Sequence, residues 1–443
     1  MTVALIELGD LGADPASPPT SRPGHRLSHR IGAALVVLLC LATLTYSIPP
    51  TSHDLRVQWS LTGSITSYFT IVGDSVILTG GPMGQTLTSY AIADGADRWT
   101  HSLSGEVPYI NATRDSGVLL VPTNAPTVAD SPAQGYYSDT IAVDATTGVE
   151  LWRLPGSGDG WASTGTALLE ERSPNGARTA RLRVVRLADG STVWSREAPE
   201  VDRWITLGTD AGHPDRVALI ERSGAVRILR LADGTQVGSG SVQWEGSEPA
   251  RNTYGDMFAE GDHLYVVEAG LERVKVTAYS QSSLRRLWQI DQPSAGGGAY
   301  PCGPVLCVTN QHKLTGYDWT TGAARWRVDG QESAMELGAG LLLTQTQDPA
   351  ANQVVLDAAT GRRLAELGGT AAQPWVFDGN TLIALGSSPS APGRTVVSKV
   401  DLRTGETFPL GTIDLVGDPG CQLAGRLLVC GHPQGRLTVT AVG

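Results

Sequence analysis

One segment recurs along this chain, and its period constrains the fold more than any other feature. Residues 142–155 read AVDATTGVELWRLP: an apolar run, an aspartate, two threonines, a glycine and, four residues on, a tryptophan. Related stretches are YDWTTGAARW (317–326), LDAATGRRLA (356–365) and VDLRTGETFP (400–409). A shorter turn gives AIADGADRW (91–99), RLADGSTVW (186–194) and RLADGTQVG (230–238). A degenerate copy, AYSQSSLRRLW (278–288), has Leu284 in the glycine place. That place falls at 95, 148, 190, 234, 284, 322, 361 and 405. A period near 40–45 residues belongs to a solenoid or a propeller. Two further short apolar runs lie between copies, such as YFTIVGD then SVILTGG, so each unit offers four short strands, the make-up of a propeller blade. Glycine is abundant, 53 of 443 residues, and charged residues are only 17%, against roughly 25% in ordinary soluble proteins, as many strands and tight turns require.

The motif has a physical reading that needs no chemistry. Asp144, Asp318 and Asp357 can each accept a backbone N–H two residues on and close an Asx-type turn. Gly148, Gly322 and Gly361 supply the left-handed dihedral at the turn's end. Trp99, Trp152, Trp194, Trp288 and Trp326 follow on the outer strand, where a large flat ring can cover the next blade and its N–H can find a partner. Gly238, Ala365 and Pro409 hold the tryptophan place in three copies.

The pattern A-x-D-x-x-T-G-x-x-x-W resembles the tryptophan-docking repeat of the pyrroloquinoline quinone (PQQ)-like β-propellers, over nearly everything after residue 55. The resemblance implies an all-β closed propeller and no particular activity. LRVQWSLTG (55–63) resembles an outer strand with its tryptophan, Trp59, and nothing before it completes a blade. GRLTVTAVG (435–443) resembles a third strand with nothing after it. Paired side by side, the two close the ring and remove its open edges. Outer strands number nine on this count, with eight blades as the alternative.

Ahead of the repeats, residues 31–48 form an 18-residue stretch without a charge, about 27 Å long as a helix and close to the thickness of a bilayer core. Arg22, Arg26 and Arg30 precede it and no Lys or Arg follows in IPPTSHDL, which orients residues 1–30 to the cytoplasm. The expected organisation is a disordered leader over 1–30, a transmembrane helix over 31–48, a linker over 49–54 and a propeller over 55–443, exported to the extracellular or periplasmic side. A cleaved secretory signal is the alternative.

Five cysteines divide into Cys40, inside that stretch, and two close pairs. Cys421 and Cys430 face each other if a hairpin turns at Gly425-Arg426, and a turn at Pro304-Val305 does the same for Cys302 and Cys307. Two local disulfides suit an oxidising compartment, although four cysteines allow three pairings. No His pair at metal spacing accompanies them, so no metal is expected.

A net charge of −11 argues against nucleic-acid binding, which needs a basic face. The sequence holds no G-x-S-x-G, H-E-x-x-H or phosphate-loop motif. The resemblance also raises a PQQ- and Ca²⁺-dependent dehydrogenase. Such enzymes typically carry adjacent cysteines and clustered calcium ligands, and neither is seen here, so no cofactor is expected. The longest insertion, 122–139, contains Tyr136 and Tyr137, a candidate partner-binding loop. The expected role is a membrane-anchored, non-catalytic binding or scaffold module for a protein, peptide or envelope polymer. The alternatives are the dehydrogenase and a transmembrane ligand sensor. A relative by architecture is the barrel-assembly scaffold lipoprotein of the outer membrane, whose lipidation signal is missing here.

Overall fold

The second run of each repeat is nearly all apolar, as in SVILTG and LLVCGH. Such a strand must be covered on both faces, and in the computed structural model it is. Residues from Asp54 to Val442 are described, except for short internal stretches, the longest being 125–136. They form 36 strands in nine antiparallel four-stranded sheets, and this makes a nine-bladed propeller. Blades 1 to 8 span 65–102, 111–155, 157–197, 201–241, 254–293, 299–329, 333–367 and 372–414, each with its strands paired in chain order. In every blade the second strand lies between the first and third, and its central residues are buried, as in Ser75–Gly80 and Thr381–Ser387. The core is distributed between blades: Leu168, Leu182 and Val184 of blade 3 meet Val217, Leu219 and Leu229 of blade 4.

Blade 9 closes the ring from both ends of the repeat region. Cys421–Ala424, Leu427–His432 and Arg436–Ala441 supply three strands, and Val57–Thr62 adds the fourth, with Val57 opposite Thr440 and Trp59 opposite Val439. The chain just before that strand grips blade 8. Leu55 N–H donates to the Thr412 carbonyl at 2.9 Å, and the Thr412 hydroxyl donates to Asp54 at 2.7 Å. Arg394 bridges Asp54 and Asp414, and Arg436 also pairs with Asp414. Beside them His432 is buried, its Nδ1 2.8 Å from the Leu415 carbonyl and its Nε2 2.7 Å from the Thr438 hydroxyl.

Adjacent blades are locked by one repeated contact. In six seams the glycine of the turn lies under the indole of the preceding blade: a Cβ on Gly148 would come within 2.5 Å of Trp99, and one on Gly190 within 2.7 Å of Trp152. The indole N–H then donates to the carbonyl three residues before that glycine. Trp59 reaches Ile92, Trp99 reaches Ala145, Trp152 reaches Leu187, Trp194 reaches Leu231, Trp288 reaches Trp319 and Trp326 reaches Ala358, at 2.7–3.2 Å. Losing such an indole to alanine costs about 3–5 kcal/mol where it is fully buried.

Both cysteine pairs form disulfides, Cys302–Cys307 and Cys421–Cys430. The second pair sits directly opposite across a Gly425-Arg426 turn. The first corrects the expected register. The hairpin turns at Gly303-Pro304, so Cys302 faces Val305 and Cys307 faces Tyr300. Gly303 takes a left-handed φ of 63°, which no other residue of this hairpin adopts, and that places the turn one residue earlier. The bridge therefore runs diagonally.

Three outcomes follow from these contacts. Gly148→Ala introduces both a left-handed alanine and a clash with Trp99, and lowers stability by about 3 kcal/mol. Gly117→Ala, also at positive φ but with nothing within 4 Å, loses only about 1 kcal/mol. Urea unfolding midpoints compare them. Burial holds His432 below the ordinary imidazole value of 6.5. The unfolded chain therefore binds the proton first, and the stability this residue carries is full above that pH and falls as pH drops below it. The slope of midpoint against pH in that window should flatten in His432→Gln. Cys302 and Cys307 are fully buried whereas Cys421 is partly exposed. Mild reductant should open Cys421–Cys430 first, as read by mass spectrometry of alkylated peptides.

Candidate functional site

The aspartates that invite a catalytic reading are spent on turns. Asp144 accepts the N–H groups of Thr146 and Thr147 and the Thr147 hydroxyl, at 2.7–3.0 Å. Asp357 accepts the N–H and hydroxyl of Thr360. Asp318 repeats the arrangement on Thr320 and Thr321, and its second oxygen takes Arg325. The Arg325 side chain, followed by the Thr321 bonds, pulls the Asp318 carboxyl down to about 2. These carboxylates stand on separate blades. Among the described residues no three His, Cys, Asp or Glu side chains converge in a way that could hold a metal ion. Tyr136 lies outside the described residues, as does the segment 31–48. Tyr137 begins the strand Tyr137–Asp144. Among the described residues no helix is long and apolar enough to cross a membrane.

The structure is most distinctive where the tryptophan is missing. Three seams lack it, and each is closed differently. Between blades 7 and 8, Ala365 is buried and the backbone itself moves in: a Cβ on Gly405 would lie 3.2 Å from the Leu364 carbonyl. Between blades 8 and 9, Pro409 stands on a strand, Thr407–Asp414, whose far end is covered by Asp54 and Leu55. Between blades 4 and 5 three residues change together. Gly238 replaces the tryptophan, and Leu284 replaces the glycine beneath it at a left-handed φ of 52°. Ile228 fills the third-strand place opposite Gly238, where Ser89, Ala142, Val184, Ala278 and Gly316 sit opposite tryptophans. Leu284 leans against Gly240, where an added Cβ would meet it at 2.9 Å. Both anomalies are visible in the sequence, in adjacent repeats. Nothing within either copy shows that they meet across a seam.

This compensation leaves openings at both ends of the blade 4–5 seam. A cleft of about 570 Å³ lies at the end carrying the third-to-fourth-strand turns, lined by Thr164 and Thr166 of blade 3, Arg216, Ile228 and Gly238 of blade 4, and Gln281 of blade 5. A cleft of about 680 Å³ lies at the other end, among Gln243, Tyr254, Glu268, Lys275, Gln289 and Asp291. Lys275 pairs with Glu268, whose other carboxylate oxygen has no hydrogen-bond partner. Burial, then the neighbouring Asp256, pushes the Tyr254 phenol up to about 12, so it stays a neutral donor. Tyr254 and Leu271 are exposed at the rim. Such a mixture of polar groups and exposed apolar surface can hold a polypeptide by both hydrogen bonds and burial, and nothing in it resembles a nucleophile with its base.

No curated protein matches the chain. Among solved structures, BamB from Moraxella catarrhalis is 13% identical with a TM-score of 0.45, over 87% of this chain and 99% of that one. A eukaryotic initiation factor is 9% identical with a TM-score of 0.54, over 84% of this chain and 92% of that one. At such identity the likeness is one of fold alone. The family model described as the outer membrane protein assembly factor BamB matches residues 83–270 and 272–409, well over half of the sequence. Together with the PQQ-like repeat and its nine four-stranded blades, that match shows that the chain belongs to the BamB-type family of β-propellers.

Proposed function

We propose that this protein is a non-catalytic scaffold that binds another protein in the cell envelope, with its propeller outside the membrane and residues 31–48 as the anchor. Membership of a family described by an assembly factor carries the reading. The commitment of the motif aspartates to turns, and the open seam between blades 4 and 5, support it. A scaffold needs rigid walls and one accommodating place, and the tryptophan locks and the altered seam supply these in turn.

Crosslinking in the native envelope, followed by capture of the full-length anchored protein, should return a discrete extracytoplasmic partner in stoichiometric amount. Protease added from outside should cut the propeller and spare residues 1–30. The purified full chain mixed with the quinone and Ca²⁺ should retain no quinone absorbance and oxidise no alcohol in a dye-linked assay. Retained quinone with turnover would replace the scaffold reading by the dehydrogenase. A captured partner found only on the cytoplasmic side would replace it by a sensor.

A further inference from the structure

We propose that the outer edge of blade 4 is a docking site for an extended segment of the partner protein, which adds to the blade as a fifth strand. This rests on the scaffold reading and specifies how the partner is held. Every blade has an outer strand, and such a strand turns alternate N–H and C=O groups away from its sheet. Proteins guard these edges with charged side chains or proline. Seven of the nine outer strands carry at least one charge, from Asp97 and Arg98 in Asp97–Ser102 to Asp414 in Thr407–Asp414. Val57–Thr62 carries none, and its Trp59 and Leu61 pack against the core. The blade 4 strand, Gln236–Ser241, reads QVGSGS, with no charge, no proline and no large ring. Five of its six residues are exposed, against four of six in Val57–Thr62 and in Asp97–Ser102. At Gly238 and Gly240 an approaching backbone meets no side chain. Leu284 packs on one face of the strand, where a Cβ on Gly240 would come within 2.9 Å of it. Side chains stand off the faces of a sheet and its hydrogen bonds lie in the plane, so Leu284 steadies the strand and leaves the edge clear.

The two ends of the strand identify its occupant. Val237 and Gly238 line the cleft of about 570 Å³, together with Thr164 and Thr166 of blade 3. Gln243, just beyond the other end, lines the cleft of about 680 Å³. Gly238 and Gln243 are separated by at most about 17 Å of extended chain. A segment of about six residues paired along the edge therefore delivers a side chain to a cleft at each end. The first cleft has an apolar wall of Pro214, Ile228, Leu231 and the exposed Val237, and suits an apolar side chain. The second is charged. In its lining Lys275 pairs with Glu268 and Arg273 with Asp291. Glu245 and Glu272 are left against Arg286 alone, one negative charge in excess, which suits a lysine or arginine. Antiparallel pairing is the more stable and is the pairing throughout each blade, so the basic residue precedes the apolar one in the partner's sequence. A second copy of this chain fits poorly. Its own Gln236–Ser241 has no side chain to fill either cleft, and two copies meeting along one six-residue strand bury far less than the roughly 1,200–2,000 Å² of a stable interface.

The test uses the full-length protein in detergent micelles and a fluorescent ten-residue peptide of alternating threonine and valine, with a lysine near its N-terminus and a leucine six residues later. Bound peptide should slow hydrogen exchange at residues 236–241 and at no other outer strand. Methylating alternate backbone nitrogens of the peptide should abolish binding for one set and change it by no more than about twofold for the other, because only one edge of the added strand pairs. The variant Ser239→Lys, Ser241→Lys, at exposed positions, gives this edge the guard its neighbours have. It should weaken binding about tenfold or more at an unchanged urea midpoint, and the loss should persist at high salt, where repulsion of the peptide's lysine is screened. Glu245→Gln with Glu272→Gln should weaken the lysine peptide about two- to fivefold and leave its norleucine counterpart unchanged. Protection spread over several outer strands, equal loss from both methylation patterns, undiminished binding to the lysine variant, or a glutamine variant that holds both peptides as the wild type does would each overturn the proposal. A concentration-dependent dimer abolished in the lysine variant would overturn it in favour of a second copy. A native partner captured equally by wild type and lysine variant would overturn it and leave the scaffold reading standing. Peptide held on this edge with no native partner captured would support the docking edge and defeat the scaffold reading.

Discussion

An indole lying on a glycine of the next blade, with its N–H on a nearby carbonyl, is the contact on which this ring depends. A four-stranded blade has two apolar faces and cannot cover either alone. The indole contributes a large apolar surface to the seam and, through its one donor, fixes how the neighbour sits. It also explains the glycine twice over. The turn requires a left-handed residue, and the ring above leaves no room for a Cβ. One atom's absence therefore serves both the local turn and the long-range packing, which is why the pair recurs as a unit.

The exceptions follow the same rule. Where the indole is lost between blades 4 and 5, the glycine becomes Leu284 and the small third-strand residue becomes Ile228, so volume is returned from both neighbours. The leucine is held in a left-handed conformation that costs about 1–2 kcal/mol for a residue with a Cβ. The left-handed leucine and the clefts beside it set this seam apart from the six that keep an indole.

Much of this architecture was legible in the sequence because turn chemistry is local. Asp144, Gly148 and Trp152 lie within nine residues and repeat, so their geometry could be read without knowing what they touch. The blade count of nine followed from the same copies, and the pairing of Val57–Thr62 with Arg436–Ala441 followed from two incomplete ends. The candidate site was less legible because its parts lie on different blades: Gly238 and Leu284 looked like two worn copies, and only the contact across the seam makes them one substitution. The Cys302–Cys307 hairpin shows a smaller limit. A one-residue shift in a glycine-proline turn changes every cross-strand partner, and spacing alone could not choose.

The clasp in blade 9 has a consequence in time. Val57 pairs with Thr440, so its strand has no partner until the residues of Arg436–Ala441 have left the ribosome. Until then blade 9 is unmade, blade 1 has an uncovered face, and Trp59 has no sheet to be part of. Eight blades can form in order as they emerge, each completing the seam behind it, but the ring itself closes in a single late step. For the duration of synthesis the chain carries an orphan strand ahead of its eight blades, a row of unpaired N–H and C=O groups that only the last strand covers.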